Sequence, residues 1–285
     1  MRKLVMVLLA VAALASAQAQ QAPAPLPEWV SLHANIPYDH YKQTVLDIMQ
    51  PKAASPKKRP GVLVIHGGGW VNGTKEAVVE RHCLPYLEKG FVVANVKYRL
   101  AGVATAPAAV NDVLKAVQWF FQNAKRYNVD SKRIVVTGGS AGGHLSLMVG
   151  MTPESAELGK PAKVAAVVNF YGITDVADQL SGLHRRDYAV TWVPEQPGRL
   201  ELAKRVSPMT YVRRGLPPIL TIHGDADQTV PYQHGVRLTK ALRSAGVDAE
   251  LITVPGGRHG FSKGEMDWAY AKVFNFLERH GIVRQ

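Results

Sequence analysis

The stretch Gly138-Gly139-Ser140-Ala141-Gly142 follows an apolar run that ends at Thr137 and precedes a helical pattern over residues 142–149. A G-x-S-x-G pattern between a strand and a helix is typical of a strained turn that exposes a serine nucleophile. The flanking positions are glycines because side chains there would collide with neighbouring backbone. The start of the helix would also present the Ala141 N–H to an oxyanion. We therefore predict Ser140 as a nucleophile and Ala141 as an oxyanion-hole donor.

Around this turn, short apolar runs alternate with longer helical patterns, which is typical of βαβ units. The predicted fold is α/β: a mainly parallel, doubly wound sheet with helices on both faces and a small cap insertion. Residues 29–49 predict an additional antiparallel hairpin. Function in such sheets lies at the carboxyl ends of the strands. The predicted strands cover residues 61–65, 91–96, 133–137, 164–170, 219–222 and 249–254, and the predicted helices cover residues 108–126, 142–149, 233–245 and 265–280.

A second glycine-rich segment, His66-Gly67-Gly68-Gly69-Trp70, follows the first of these strands directly. Consecutive glycines leave backbone N–H groups unshielded, so Gly68 and Gly69 are the other predicted oxyanion-hole donors. We expect the His66 ring to hold this loop by hydrogen bonding rather than to take part in catalysis. Trp70 is a predicted substrate-binding residue, with packing under the loop as the alternative.

Two loops that follow later strands supply a base and an acid. Gly256-Gly257-Arg258-His259-Gly260 places an imidazole between glycines, and His223-Gly224-Asp225-Ala226-Asp227 contains two carboxylates. A serine hydroxyl needs an imidazole to take its proton, and the imidazole needs a carboxylate to fix its tautomer. His259 is therefore the predicted base. Spacing alone leaves Asp225, Asp227 and, as a weaker candidate, Asp175 for the acid.

The composition limits the other functions that the chain could have. Its 285 residues are 47% hydrophobic and 20% charged, which suits one catalytic domain, assigned here to residues 29–285. The formal net charge is +12, but the 34 Lys and Arg are scattered, so we predict no nucleic-acid partner. The sequence contains no H-E-x-x-H motif and no Cys/His ligand spacing. We therefore predict neither a metal nor a cofactor.

The amino-terminal residues 1–19 are typical of a secretory signal peptide. A basic start precedes an apolar run over residues 4–14, and small residues follow, so cleavage is expected after Ala17 or Ala19. The run is too short to span a bilayer, which predicts export to the periplasm or beyond without stable membrane insertion. Residues 20–28, rich in Gln, Ala and Pro, are predicted to be disordered.

Residues 172–217 lose the alternation of strands and helices, and we interpret them as a cap over the site. Such a segment would select substrates. Trp192 is a predicted substrate-binding residue here. Tyr171 and Tyr188 are further candidates to line an aromatic acyl pocket, and ordinary packing on the core is the alternative for each of the three.

Together, these segments resemble the α/β-hydrolases grouped as bifunctional feruloyl and acetylxylan esterases, near the hormone-sensitive-lipase and arylformamidase branches. The resemblance covers most of the chain after the predicted signal peptide. It implies the α/β-hydrolase fold, and it selects Asp227 as the acid, because the second acid is catalytic in relatives with the pattern H-G-x-x-D-x-x-V. Asp225 would then shape the turn. The matching segments are residues 46–47, 66–70, 98–100, 112, 116–119, 138–144, 207–208, 217–218 and 223–231.

The resemblance implies ester hydrolysis through an acyl-enzyme, on a small-molecule or polysaccharide substrate. Short-chain or aromatic acyl esters, such as acetylated or feruloylated polysaccharide, are the expected class. An arylformamidase or small exopeptidase is the alternative enzyme, because the same triad serves either leaving group. A catalytically inactive hydrolase fold used for binding or adhesion is the alternative from another class. The intact serine, histidine, aspartate and glycine loop argue against it.

Overall fold

The computed structural model describes residues 25–283. The predicted signal peptide lies outside the described residues, as do residues 20–24 of the segment predicted to be disordered. Eight strands form one sheet, in the order β1-β2-β4-β3-β5-β6-β7-β8. The strands are β1 Val30–Pro37, β2 Val45–Pro51, β3 Arg59–Ile65, β4 Val92–Val96, β5 Val129–Gly139, β6 Ala166–Phe170, β7 Ile219–Gly224 and β8 Ala249–Val254.

The direction of the strands confirms the predicted fold class. β1 pairs with β2, and β2 with β4, in antiparallel fashion, so the hairpin expected near residues 29–49 is present. All other neighbouring strands are parallel. Every residue of β4, β6 and β7 is buried, which explains why these strands are continuous apolar runs in the sequence.

Helices cover both faces of the sheet. Buried apolar side chains of α2, α3 and α6 join one hydrophobic cluster, and those of α1 and α7 join the other. None of the helices within residues 25–283 is long and apolar enough to cross a membrane. The helices are α1 Leu84–Glu88, α2 Ala108–Asn123, α3 Ala141–Met151, α4 Asp187–Trp192, α5 Arg199–Arg205, α6 Gln233–Ser244 and α7 Lys263–Arg279.

The element boundaries differ from the predicted ones where local contacts extend an element. β5 begins at Val129, four residues before the predicted start, because Val129 pairs with Arg59 of β3 beyond a polar stretch. α7 begins two residues early because Ser262 and Glu265 form a capping box. The π-helical turn Val79–Cys83, which leads into α1, was not predicted.

The segment between β6 and β7 carries α4, α5 and short 3₁₀ turns rather than strands. It contacts the loop between β4 and α2, where the Ala106 N–H donates to the carbonyl oxygen of Trp192 at 2.9 Å. It also brings Tyr188 against Gly69, since a Cβ on that glycine would lie 2.7 Å from the Tyr188 Cβ. These contacts place α4 beside the glycine-rich loop that follows β3.

Candidate active site

Ser140 occupies the turn between β5 and α3 in a strained backbone conformation. Its φ of 58° and ψ of −123° lie in a region that residues with a side chain rarely adopt. A Cβ added to Gly138 would lie 2.3 Å from the Ile65 carbonyl oxygen, and one added to Gly142 would lie 2.0 Å from the same atom. The two glycines are therefore required by the close approach of β3, as the sequence predicted.

The structure brings Ser140, His259 and Asp227 together in one hydrogen-bonded relay. His259 Nε2 lies 2.9 Å from Ser140 Oγ, and His259 Nδ1 lies 2.8 Å from Asp227 Oδ2. An ionised carboxylate only accepts hydrogen bonds, so Nδ1 is the donor to Asp227. This tautomer leaves Nε2 free to accept the serine proton.

Asp227 is held ionised by its neighbours. Its Oδ1 accepts from the N–H groups of Thr229 and Val230 at 2.8 and 3.0 Å. Its Oδ2 lies 3.3 Å from His223 Nε2, which carries a proton because it also contacts the Val230 carbonyl at 3.0 Å. Burial acts to raise the pKa of Asp227, but the hydrogen bonds from His223, His259 and Val230 outweigh it and hold the pKa well below its usual range.

The two alternative acids make other contacts. Asp225 Oδ1 accepts from the Gly256 N–H at 2.7 Å, which ties two loops together. Asp175 pairs with Arg237 at 3.0 Å. In the described part of the chain, Asp227 is the carboxylate that reaches His259. The geometry thus agrees with the choice that the resemblance implied.

The predicted oxyanion-hole residues surround Ser140. Gly68 and Gly69 have φ values of 111° and 58°, and their N–H groups make no hydrogen bond to another residue of the described chain. Ala141 is the first residue of α3, where an N–H has no partner within the helix. Gly68, Gly69 and Ser140 border one cavity of about 860 Å³.

The His66 ring supports the glycine loop. Its Nδ1 lies 2.8 Å from the Gly67 carbonyl oxygen, and the ring stacks on Tyr98 with centroids 4.3 Å apart. Burial lowers the pKa of His66 to about 4. A neutral ring that donates to the loop carbonyl agrees with the positioning role predicted from the sequence.

The BD-FAE family profile, that of bifunctional feruloyl and acetylxylan esterases, matches residues 46–242. The chain belongs to the BD-FAE family. The match includes Ser140 and Asp227 and ends before His259. BD-FAE proteins are carboxylic ester hydrolases with the α/β-hydrolase fold, which agrees with the sheet and the relay described above.

Individual relatives of this BD-FAE chain are esterases. Esterase LipC of Mycobacterium tuberculosis is 31% identical over 232 residues, which are 76% of this chain and 57% of LipC, so the chain spans little more than half of that relative. A truncated carbohydrate esterase from gut microbiota has a TM-score of 0.80 and 29% identity, over 90% of this chain and 98% of the other. The propionate-bound Est2 esterase of Thermogutta terrifontis has a TM-score of 0.73 and 28% identity, over 91% and 98%.

The structure places two predicted substrate-binding residues of the BD-FAE chain in the packing alternative instead. Trp70 and Trp192 are fully buried and stack on each other with ring centroids 4.1 Å apart. Trp70 Nε1 donates to His144 Nδ1 at 3.1 Å. Neither ring borders the cavity that the described residues form around Ser140. Both tryptophans instead join the glycine loop to the segment between β6 and β7. Stacking stabilises this contact because it removes a large apolar area of both rings from water.

Two predicted aromatic residues border the site, and two further residues at the site were not predicted from the sequence. Tyr171 and Tyr188, the predicted aromatic candidates, both line the cavity, and the Tyr171 ring lies edge-on to His259 with centroids 4.9 Å apart. The sequence predicted no role for His223, which contacts Asp227. It also predicted none for Arg81, which lines the cavity. The position of His223 at the end of a strand, four residues before the acid, was the available signal. Arg81 gave none, because the turn that carries it was not predicted.

Proposed function

We propose that this protein is a serine esterase that hydrolyses short-chain or aromatic acyl esters through an acyl-enzyme. The observation that carries the proposal is the relay of 2.9 and 2.8 Å from Ser140 through His259 to Asp227, at a cavity large enough for a small ligand. In this proposal Ser140 is the nucleophile, His259 the general base and Asp227 the group that orients and stabilises the base.

The steps follow from the atoms that are already in contact. His259 Nε2 takes the Ser140 proton as Oγ attacks the ester carbonyl, and the oxyanion accepts from the N–H groups of Gly68, Gly69 and Ala141. His259 then gives the proton to the departing alcohol oxygen. Water repeats the attack on the acyl-enzyme and releases the acid. Removing one oxyanion donor in such a site costs about 2.7–4 kcal/mol of transition-state stabilisation.

Acetyl and feruloyl esters of polysaccharide are the proposed natural substrates. Membership of the BD-FAE family supports this class, as do the carbohydrate esterase from gut microbiota and the propionate-bound Est2 among the similar structures. Tyr188 offers aromatic surface to an acyl group. Charged side chains, including Glu80 and Lys263, also border the cavity, so it offers a poor environment for a long fatty chain.

The proposed substrates imply that the enzyme works outside the cytoplasm, and we propose that residues 1–19 direct its export. The basic start and short apolar run support this. The test is amino-terminal sequencing of protein recovered from the periplasm or medium. The exported chain should start at Gln18 or Gln20. Recovery of the full-length chain from the cytoplasm would contradict the proposed export.

A substrate panel with purified protein tests the esterase proposal. p-Nitrophenyl acetate, methyl ferulate and acetylated xylan should be cleaved, p-nitrophenyl palmitate should be slower than the acetate under matched soluble conditions, and Ser140→Ala should abolish every reaction. Activity that persists in Ser140→Ala would contradict the mechanism. Faster cleavage of the palmitate would indicate a lipase, and faster cleavage of N-formylkynurenine would indicate an arylformamidase.

A further inference from the structure

Arg81 lies at the same cavity as the nucleophile and the base, without an acidic partner. Six arginines of residues 25–283 pair with a carboxylate, and Arg81 is not among them. Its side chain is exposed and borders the cavity together with Ser140, His259 and Tyr171. An unpaired guanidinium that faces a reaction site is suited to binding an anionic group, because its planar fork matches a carboxylate.

The surroundings place Arg81 on the base side of the nucleophile. Its Nη1 lies 3.8 Å from the point where a Cβ on Gly260 would stand, and Gly260 directly follows His259. The Tyr171 hydroxyl lies 3.0 Å from the equivalent point on Gly139, which directly precedes Ser140. Burial raises the pKa of Tyr171, whereas the nearby Arg81 acts to lower it. The positive charge of Arg81 is therefore close enough to interact with the Tyr171 hydroxyl on this side of the cavity.

This side of the cavity receives the alcohol portion of an ester. The proton that His259 takes from Ser140 must pass to the departing alcohol oxygen, so that oxygen has to lie on the imidazole side of the serine. The carbonyl oxygen lies toward the opposite groups, the N–H donors of Gly68 and Gly69. A substituent on the alcohol would therefore extend past Gly260 toward Arg81.

We propose that Arg81, with the Tyr171 hydroxyl, binds a carboxylate carried by the alcohol portion of the ester, so that the enzyme favours acylated hydroxy acids, including acylated sugar acids. This inference rests on the esterase function proposed above. The guanidinium supplies two parallel N–H donors and the phenol supplies a third.

The acidic residues of the cavity wall gather around a different cation. Lys263 pairs with Asp267 at 2.8 Å, and these contacts, with the nearby Glu80 and Glu88, raise the pKa of Lys263. Asp267 therefore has a cationic partner in Lys263. None of these acidic residues lies within ion-pairing distance of Arg81 among the contacts of residues 25–283, so its charge stays available to a ligand.

The test compares two esters that differ in one charge, 4-acetoxybenzoate and 4-acetoxybenzamide, at pH 7.5 and low salt. The wild-type protein should cleave the benzoate with the higher kcat/KM. Arg81→Gln should lower kcat/KM for the benzoate about 10- to 100-fold, the range expected for losing a charge-assisted pair, and change the benzamide less than threefold. Lys89→Gln, which removes an exposed cation that does not border the cavity, should leave the preference for 4-acetoxybenzoate in place.

Three kinetic outcomes would overturn the inference: a wild-type protein without preference for the benzoate, an Arg81→Gln variant that loses both esters equally, or a Lys89→Gln variant that loses the preference as well. Binding of both compounds to Ser140→Ala and to the Arg81→Gln, Ser140→Ala double variant, measured by calorimetry, tests the site independently of turnover. If the wild-type protein cleaves neither these two esters nor p-nitrophenyl acetate, methyl ferulate and acetylated xylan, but Ser140→Ala binds 4-acetoxybenzoate through Arg81, the esterase proposal fails and the anion site stands. Equal binding of 4-acetoxybenzoate and 4-acetoxybenzamide to Ser140→Ala would contradict the proposed anion site, whatever the activity of the wild-type protein.

Discussion

Both carboxylate oxygens of Asp227 are occupied, one by two backbone N–H groups and the other by His259 and His223. The spacing of acids along the chain left Asp225 and Asp175 as alternatives, because spacing does not show where a turn directs its N–H groups. The turn after Asp227 directs those of Thr229 and Val230 onto its carboxylate. The family pattern pointed to the same residue, whereas the contact with His223 required the folded structure.

Substitutions at Asp227 and Asp225 show which of the two carboxylates orients His259. Asp227→Asn should lower kcat by about 10⁴, the loss seen when another serine hydrolase lost its triad acid to the wrong imidazole tautomer. Asp225→Asn is the matched control, and it should keep kcat within about tenfold while weakening the contact to Gly256. Steady-state kinetics on p-nitrophenyl acetate measure both. A severe loss for Asp225→Asn with a mild one for Asp227→Asn would reverse the assignment.

At the scale of elements, β4, β6 and β7 were predictable because they are buried on both faces and consist mostly of apolar residues. The capping box is also a local sequence pattern, because Ser262 and Glu265 are only three residues apart. The predicted start of α7 did not take this pattern into account. The stack of Trp70 on Trp192 has no such local signal. It joins two loops that are distant in sequence, so each tryptophan alone is equally compatible with a substrate pocket and with packing.

The buried stack predicts a stability effect instead of a binding effect. Trp192→Ala should lower the free energy of unfolding by about 3–5 kcal/mol, the range for truncating a buried aromatic side chain. Trp268→Ala, at a position that is 42% exposed, is the control and should cost less than about 1 kcal/mol. Urea unfolding followed by circular dichroism measures both. An unchanged stability with a raised KM for Trp192→Ala would restore it as a substrate-binding residue.

At the scale of the whole molecule, buried imidazoles link folding to pH, and three of them have strongly lowered pKa values. Burial lowers the pKa of His66 and of His144 to about 4, and that of His82 to about 3. An unfolded chain would protonate these rings near pH 6.5, so between pH 6.5 and 4 the unfolded state binds more protons than the folded state. Their contribution to stability is therefore complete above pH 6.5 and is lost as the pH falls toward 4.

Urea unfolding at pH 7.5, 6.0 and 5.0 should show this loss. Each ring contributes a slope of up to about 1.4 kcal/mol per pH unit in that window. His82→Phe should reduce this slope, because it removes one of the buried rings. A free energy of unfolding that stays constant from pH 7.5 to 5.0 would contradict the burial of neutral rings.

If Ser140 and His259 act as one chemical unit, removing both side chains should cost no more activity than removing either one. Residues that act in a single step are strongly non-additive when they are removed together. Ser140→Ala, His259→Ala and the double variant should therefore show the same residual kcat on p-nitrophenyl acetate within about threefold, with circular dichroism spectra like that of the wild type. A double variant whose loss equals the product of the two single losses would show that the residues act independently, and the proposed relay would be wrong.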